Sequence, residues 1–271
     1  MKSLIRWAGS KKQLVHKLAG FFTPAHHRYV EPFAGSASLF FHLEPSEAIL
    51  GDMNLELITA MRALREGTSD VLRCLKQFPI GEKAYYSIRS WNPASLSRTV
   101  LAARFLYLNH YCFNGLYRTN REGRFNVPFG PPKNGIEINE ETIVRASKLL
   151  RRAVLVDGDF EKVIKLTKPG DFVYLDPPYV VRSRRIFAEY CTKTFSSCDL
   201  GRLQAALTHL DRQGITFVIT YADSTEARNL LRQWRPRRIR ARRNIAGFVG
   251  HRRFSYELLA TNSTVGEFDA N

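Results

Sequence analysis

The stretch Phe172-Val173-Tyr174-Leu175-Asp176-Pro177-Pro178-Tyr179 restricts the fold more than any other part of the chain. Its first four residues are apolar or aromatic without a polar break, and turn formers bound the run, Pro169-Gly170 before it and Pro177-Pro178 after. A run without alternation is a strand buried on both faces, the kind a parallel sheet supplies, and parallel strands need crossovers, so the class is α/β. The two prolines lack N–H donors and fix φ, so the ladder stops at Asp176. That leaves a carboxylate and free carbonyls at the carboxyl end of a strand, where open α/β sheets bind ligands. Taken alone, the tetrapeptide is equally compatible with an ordinary Pro-Pro turn and a helix-capping Asp.

Other stretches repeat the pattern. Tyr29-Val30-Glu31-Pro32-Phe33-Ala34-Gly35-Ser36-Ala37-Ser38-Leu39-Phe40-Phe41 reads as strand, small-residue turn and apolar helix start. The small residues let a ligand approach the backbone, as a nucleotide-binding first βα turn requires, although no phosphate-binding G-x-x-x-x-G-K sequence is present. An acid about 20 positions later should end the next strand and accept ribose hydroxyls. Asp52, closing Ala48-Ile49-Leu50-Gly51, follows Glu31 by 21 positions, which supports an adenosine-bearing cofactor. Upstream, Leu4-Ile5-Arg6-Trp7-Ala8-Gly9-Ser10-Lys11 is extended and breaks into a helix over 12–22, with Ser10 as N-cap and a carboxylate site at its start.

After a helix over 54–66 the strand rhythm fails for about a hundred residues, longer than any crossover of a compact sheet. It returns at Ala153-Val154-Leu155-Val156, which ends in Asp157-Gly158-Asp159-Phe160. The reading is an inserted domain, 57–145, inside a discontinuous domain made of 1–56 and 146–271. The insert holds a helix over 99–110 and then a segment dense in turn residues, aromatics and arginines, with Asn120 to Arg124 as a hairpin tip. Arginines beside aromatics on a hairpin suit phosphates, guanine edges and base stacking; the plainer alternative is a surface hairpin over a small core. Beyond Tyr179 come a polar loop over 181–198 that includes Tyr190 and Phe195, helices over 199–213 and 224–233, and strands over 215–221 and 254–260. Arg232, Arg235, Arg237, Arg238, Arg240, Arg242, Arg243, Arg252 and Arg253 follow one another with no acid between.

Charge narrows the partner. With 41 Lys+Arg against 25 Asp+Glu, a net charge of +16 favours a polyanion, and nucleic acid fits best. No apolar run approaches the roughly 20 residues of a bilayer span and no signal peptide opens the chain, so the expectation is a soluble, cytoplasmic protein. The four cysteines and seven histidines show no metal-ligand or disulfide spacing, and no metal is expected.

Six motifs stand in one order: Trp7-Ala8-Gly9-x-Lys11, Glu31-Pro32-Phe33-x-Gly35, Asp52-x-Asn54, the block from Leu106-Tyr107-Leu108-Asn109 to Asn126-Val127-Pro128-Phe129-Gly130, Asp159-Phe160, and Asp176-Pro177-Pro178-Tyr179. In this order the chain resembles the Dam-like family (D12 class, class alpha) of DNA adenine-N6 methyltransferases over nearly its whole length. The resemblance implies a Rossmann-like, S-adenosylmethionine-dependent methyltransferase fold with an inserted, mostly helical target-recognition domain carrying a β-hairpin. It implies that Trp7, Ala8, Gly9, Lys11, Glu31, Pro32, Phe33 and Gly35 surround the methionine end of the cofactor. Asp52 would take the ribose, Asp159 and Phe160 the adenine, and Asp176 would border the methyl group. Asp176, Pro177, Pro178 and Tyr179 are the expected catalytic residues. Arg118, Asn120, Arg121, Glu122, Arg124, Asn126 and Pro128 are the expected contacts to double-stranded DNA. The setting implied is bacterial or phage, either alone or beside a cognate restriction endonuclease.

The chemistry asked of Asp176 follows from adenine. Its N6 lone pair is delocalised into the ring, and two acceptors on the amine hydrogens, the Asp176 carboxylate and the Pro177 carbonyl, localise it. The base must leave the duplex stack, and Tyr179 offers a stacking surface. Two positions depart from the family pattern at the cofactor turns, Ser10 and Ala37, each small where glycine is common. Arg118-Thr119-Asn120-Arg121-Glu122-Gly123 departs from the hairpin of GATC-specific relatives, so the target sequence stays open. N4-cytosine methylation, protein glutamine or ribosomal RNA methylation, and a non-catalytic nucleic-acid-binding module are the competing readings.

Overall fold

A computed structural model describes residues 4–7, 9–11, 13–120, 122–130, 139–179, 195–242 and 254–263. Its centre is a seven-stranded sheet. Strands β1 (Arg28–Glu31), β2 (Ala48–Asp52), β3 (Ala153–Asp157), β4 (Asp171–Leu175) and β5 (Thr216–Ala222) are parallel, while β6 (Arg237–Arg242) and β7 (Phe254–Thr261) add as an antiparallel pair beside β5, in the order β3-β2-β1-β4-β5-β7-β6. The chain steps outward from β1 to β3 and then returns to the other side of β1 for β4. That reversal makes the carboxyl ends of β1 and β4, where Glu31 and Asp176 stand, the topological switch point of the sheet, the place where open α/β sheets bind ligands.

Alternation along each strand fills two cores. Tyr29, Leu50, Leu155, Phe172, Tyr174, Val218 and Leu259 face one layer, and Val30, Ile49, Val173, Leu175, Phe217, Ile219 and Leu258 face the other. Every residue of β4 is buried, as its unbroken apolar run requires. Arg28 fixes the base of the sheet by pairing with the buried Asp171 at 2.7 Å.

The helices depart from expectation in two places. Helix α1 covers only Val15–Ala19 and is capped by Leu14 without a side-chain bond, so Ser10 is not its N-cap. Gly9 has φ +77°, and the turn it makes ties the Ser10 amide to the Trp7 carbonyl; a second turn ties the Leu14 amide to the Lys11 carbonyl, and the helix starts only after it. The Ser10 hydroxyl bonds Ser38 at 2.8 Å instead. After α2 (Ser38–Leu43), helix α3 spans Leu55–Lys76, beyond the expected end at 66. Gly67 leaves helical geometry (φ −148°, ψ 59°), but burial of Val71 and Leu75 makes the next turns worthwhile. The 56/57 boundary falls inside α3: Leu57, Ile58 and Met61 are core, and Arg62 donates to the Leu155 carbonyl and to Asp157 on β3.

Between β2 and β3 the chain also forms α4 (Glu82–Ser90), α5 (Arg98–Tyr111), a hairpin and α6 (Glu140–Leu150), and the expected 145/146 boundary falls within α6. The buried Arg104 ties α5 to α4 and α3, donating to the Ile88 and Arg89 carbonyls at the end of α4 and pairing with Glu56 at 3.3 Å. The hairpin forms through isolated antiparallel bridges, Cys112 with Phe129 and Thr119 with Phe125, rather than continuous strands. Helices α7 (Phe160–Ile164), α8 (Ser197–Arg212) and α9 (Thr225–Leu231) complete the chain. Among the described residues no helix is long and apolar enough to cross a membrane, and no cluster of His, Cys, Asp or Glu could hold a metal ion.

Candidate active site

Period-two geometry brings the acids together. Tyr174 pairs with Val218, Thr220 with Leu259 and Ala222 with Glu257, so Asp176, Thr220 and Glu257 share the sheet face that also carries Tyr29 and Glu31. Lys11 descends onto this face from the N-terminal segment and is buried. Its Nζ lies 2.8 Å from Asp176 Oδ1, 3.4 Å from Glu257 Oε1 and 3.2 Å from the Tyr179 hydroxyl. Burial by itself lowers the Lys11 pKa, but Asp176, Tyr179 and Glu257 outweigh it and hold the amine protonated well above its ordinary range.

Asp176 Oδ1 also accepts from the Thr220 hydroxyl at 3.2 Å, and Thr220 bonds Tyr174 at 3.0 Å. Burial pushes the Asp176 pKa up, with Lys11 and Thr220 pulling it back. Pro177 is buried and Pro178 exposed. The Tyr221 hydroxyl donates to the Pro178 carbonyl at 3.3 Å and its ring meets Tyr179 edge-on at 5.3 Å. Tyr179 donates to Glu257 Oε1 at 3.1 Å. Glu31 accepts from the Tyr29 hydroxyl at 2.9 Å, and burial raises its carboxyl far above the ordinary range.

The first βα turn packs against the N-terminal segment. Gly35 has φ +47°, and a Cβ there would sit 2.8 Å from Trp7 Cδ1 and Nε1, so only glycine admits the indole. Ala37 also sits in the left-handed region, at φ 47°. The Asp52 carboxylate accepts from the Gly35 and Asn54 amides, both at 2.8 Å, tying the end of β2 to that turn. Gly158 reaches the Asp52 carbonyl at 2.9 Å, which brings Asp159 beside it. Asp159 caps α7 and pairs with Arg202 at 2.6 Å. The buried Phe160 stacks on Phe33 at 5.2 Å, with Arg202 5.0 Å over its ring. These small, aromatic and acidic groups along the carboxyl ends of β1, β2 and β3 fit a cofactor with an adenosine and an amino-acid end.

The hairpin joins this site through stacked rings. Trp7 lies on Tyr117 at 5.5 Å, and Tyr117 contacts Phe125. Arg118 Nε donates to Asn126 Oδ1 at 2.8 Å. The Asn120 side-chain carbonyl builds the tip by accepting from the Glu122 and Arg124 amides. Glu122 and Arg124 are exposed and 3.5 Å apart, and Pro128 is exposed. Ala8, Arg121, Tyr190, Arg243, Arg252 and Arg253 lie outside the described residues.

The arginine run, which has no acid between its members along the chain, meets one in space: Arg238 pairs with Asp223 at 2.8 Å and stacks on Tyr256 at 3.7 Å. Arg238 and Arg240 pair with Leu258 and Tyr256, which puts them on the face opposite Glu257, away from Asp176. Thr220, Tyr221, Glu257 and Arg202 were missed from sequence. A hydroxyl or an acid interrupting an apolar strand, as at Thr220 and Glu257, was the available signal.

The family model described as D12 class N6 adenine-specific DNA methyltransferase matches residues 7–245. The chain is 32% identical to the Type II methyltransferase M1.LlaDCHI of Lactococcus lactis subsp. cremoris, covering 97% of this chain and 95% of that one. It is 32% identical to the DNA adenine methylase of Serratia marcescens, covering 96% and 97%. It is 30% identical to the Retron Ec67 DNA adenine methylase of Escherichia coli, covering 97% and 92%. On a family match that spans both the cofactor turns and the Asp-Pro-Pro-Tyr strand end, this chain belongs to the D12 class of N6 adenine-specific DNA methyltransferases.

Proposed function

We propose that the protein methylates the N6 of an adenine flipped out of a short recognition sequence in duplex DNA, with S-adenosylmethionine as the methyl donor. The carrying observation is Asp176 at the end of β4, with Oδ1 held by Lys11 at 2.8 Å and by Thr220 at 3.2 Å. An oxygen fixed twice leaves Oδ2 to meet one amine hydrogen, and the Pro177 carbonyl takes the other. Both acceptors draw the N6 lone pair out of conjugation, which is positioning plus electrostatics. Tyr179 supports the extruded base by stacking.

Trp7, Gly9, Lys11, Glu31, Pro32, Phe33, Gly35, Asp52, Asp159 and Phe160 would hold the cofactor, which supplies an electrophilic methyl when bound. Lys11 is committed to Asp176 and Glu257, so its share in cofactor binding is to keep Asp176 ionised beside the methyl. Arg118, oriented by Asn126, and the exposed Arg124 and Pro128 at the hairpin would meet the DNA. The Type II name of the Lactococcus relative supports a restriction-modification role with a cognate endonuclease, and the bacterial relatives support a cytoplasmic setting.

Methylome sequencing of DNA exposed to the purified protein tests this reading. N6-methyladenine at one short motif is expected; N4-methylcytosine as the product, or binding without modification, would overturn it.

A further inference from the structure

Glu257 sits where a carboxylate is costly to bury. It is 6% exposed, its Oε1 serves both Lys11 (3.4 Å) and the Tyr179 hydroxyl (3.1 Å), and its Oε2 is buried without a hydrogen-bond partner among the described residues. A buried carboxylate with an unsatisfied oxygen destabilises a fold unless a neighbouring charge compensates it. Here the neighbour is Lys11, which already has Asp176 at 2.8 Å. One buried cation therefore faces two carboxylates.

We propose that Glu257 is a positioning residue for methyl transfer, holding Lys11 and Tyr179 together and remaining the counter-ion of Lys11 when Asp176 is neutralised. This deepens the reading of Asp176 as the amine acceptor and rests on it. The newly methylated N6 carries positive charge; one N–H bond breaks, its electron pair returns to nitrogen, and the proton goes to the Asp176 carboxylate. Asp176 then no longer balances Lys11. An uncompensated buried ammonium is strongly unfavourable, and Glu257 prevents that state from arising. The same oxygen fixes the Tyr179 hydroxyl, so the stacking ring and the acceptor share one anchor.

The test compares wild type with Glu257→Gln, Glu257→Asp, Glu257→Ala and Asp176→Ala, with folding of each followed by circular dichroism and thermal unfolding. Glu257→Gln keeps an acceptor for Tyr179 but leaves Lys11 one counter-ion, which holds Asp176 ionised more firmly and makes it a poorer proton acceptor. Its kcat should fall on the order of a hundredfold with KM for DNA nearly unchanged, and the acid limb of its kcat profile should move to lower pH. The charged and titratable groups around Glu257 (Lys11, Asp176, Tyr179, Tyr174 and, farther along the face, Glu31) are common to both proteins, so the displacement reports the lost carboxylate. Glu257→Asp keeps the charge and should recover the limb and part of kcat; Glu257→Ala, which also removes the carboxylate, carries the kcat and limb readouts if Glu257→Gln does not fold. Without cofactor, 2-aminopurine placed at the target position of a duplex bearing the methylated motif should fluoresce with Glu257→Gln as with wild type and differently with Glu257→Ala.

A wild-type kcat and acid limb in Glu257→Gln would overturn the proposal. So would a kcat loss with an unmoved limb that Glu257→Asp fails to rescue, or wild-type 2-aminopurine emission in Glu257→Ala. If Asp176→Ala still transfers methyl groups, the underlying reading fails; if it is inactive beside an unaffected Glu257→Gln, only this inference fails.

Discussion

Asp176 works from a carboxylate whose one oxygen is engaged twice and whose burial raises its pKa. Glu31 is a second buried acid on the same face, and burial raises its carboxyl further. The sign of its pH effect is fixed: an acid whose pKa is higher folded than unfolded binds an extra proton in the native state. Its folded-state penalty is therefore absent below the unfolded value of about 4.3 and grows as pH rises toward the folded value. Glu31→Gln removes this one contribution while keeping an acceptor for Tyr29. Its Tm relative to wild type should climb as pH rises above about 4.3; a gap independent of pH in differential scanning calorimetry would contradict the assignment. Gly35 is constrained differently, by φ +47° and by the Trp7 indole 2.8 Å from any added Cβ. Gly35→Ala should lower stability by roughly 1–2 kcal/mol from the left-handed backbone alone. By displacing Trp7 it should also weaken S-adenosylmethionine binding in calorimetric titration, and wild-type affinity would remove Gly35 and Trp7 from the cofactor site.

Elements carry the link between the hairpin and the catalytic face. Arg6 donates to the Asn109, His110 and Cys112 carbonyls at the end of α5, and Asn109 answers by accepting from the Arg6 amide at 2.9 Å and donating to its carbonyl at 2.7 Å. Three residues on from Arg6 comes the Gly9 turn, and then Lys11. Breaking the reciprocal pair with Asn109→Ala should lower stability by about 1–3 kcal/mol. It should also weaken cofactor binding at a distance, because the Trp7 to Lys11 strap loses its anchor. Unchanged cofactor affinity would show that the strap stands without α5. What was legible in sequence follows the same division. β1, β2, β4 and β5 were readable because strands buried on both faces leave continuous apolar runs, and the acids that end β1, β2 and β4 were readable because strand ends are punctuated by Pro or a break in polarity. The extension of α3 past Gly67 was not, since tertiary burial of Val71 and Leu75 overrides a local helix breaker. Nor was β6: an arginine-rich edge strand owes its existence to pairing with β7 and to Asp223, partners far away in the chain or on another element. Glu257 was visible as an acid interrupting an apolar strand, but its meaning depends on the antiparallel register that sets it opposite Ala222.

Across the molecule, the net charge of +16 sets how DNA is approached. Log affinity should fall steeply with log salt, each phosphate contact adding close to one to the slope. Replacing Arg118, Arg124 or Arg237 by Ala should flatten that slope, whereas Arg238→Ala, which removes an ion pair and a stacked ring contact, should act mainly on stability. Wild-type slopes in Arg118→Ala, Arg124→Ala and Arg237→Ala would contradict the DNA contact given to these arginines. The N-terminal strap and the sheet converge on a single carboxylate, Asp176, through Lys11 and Thr220. Asp176→Ala should be measured in parallel for labelled methyl incorporation into duplex DNA and for S-adenosylmethionine binding by calorimetry. Incorporation should vanish while cofactor affinity is largely retained; equal loss of both, or surviving methyl transfer, would contradict the role given to Asp176.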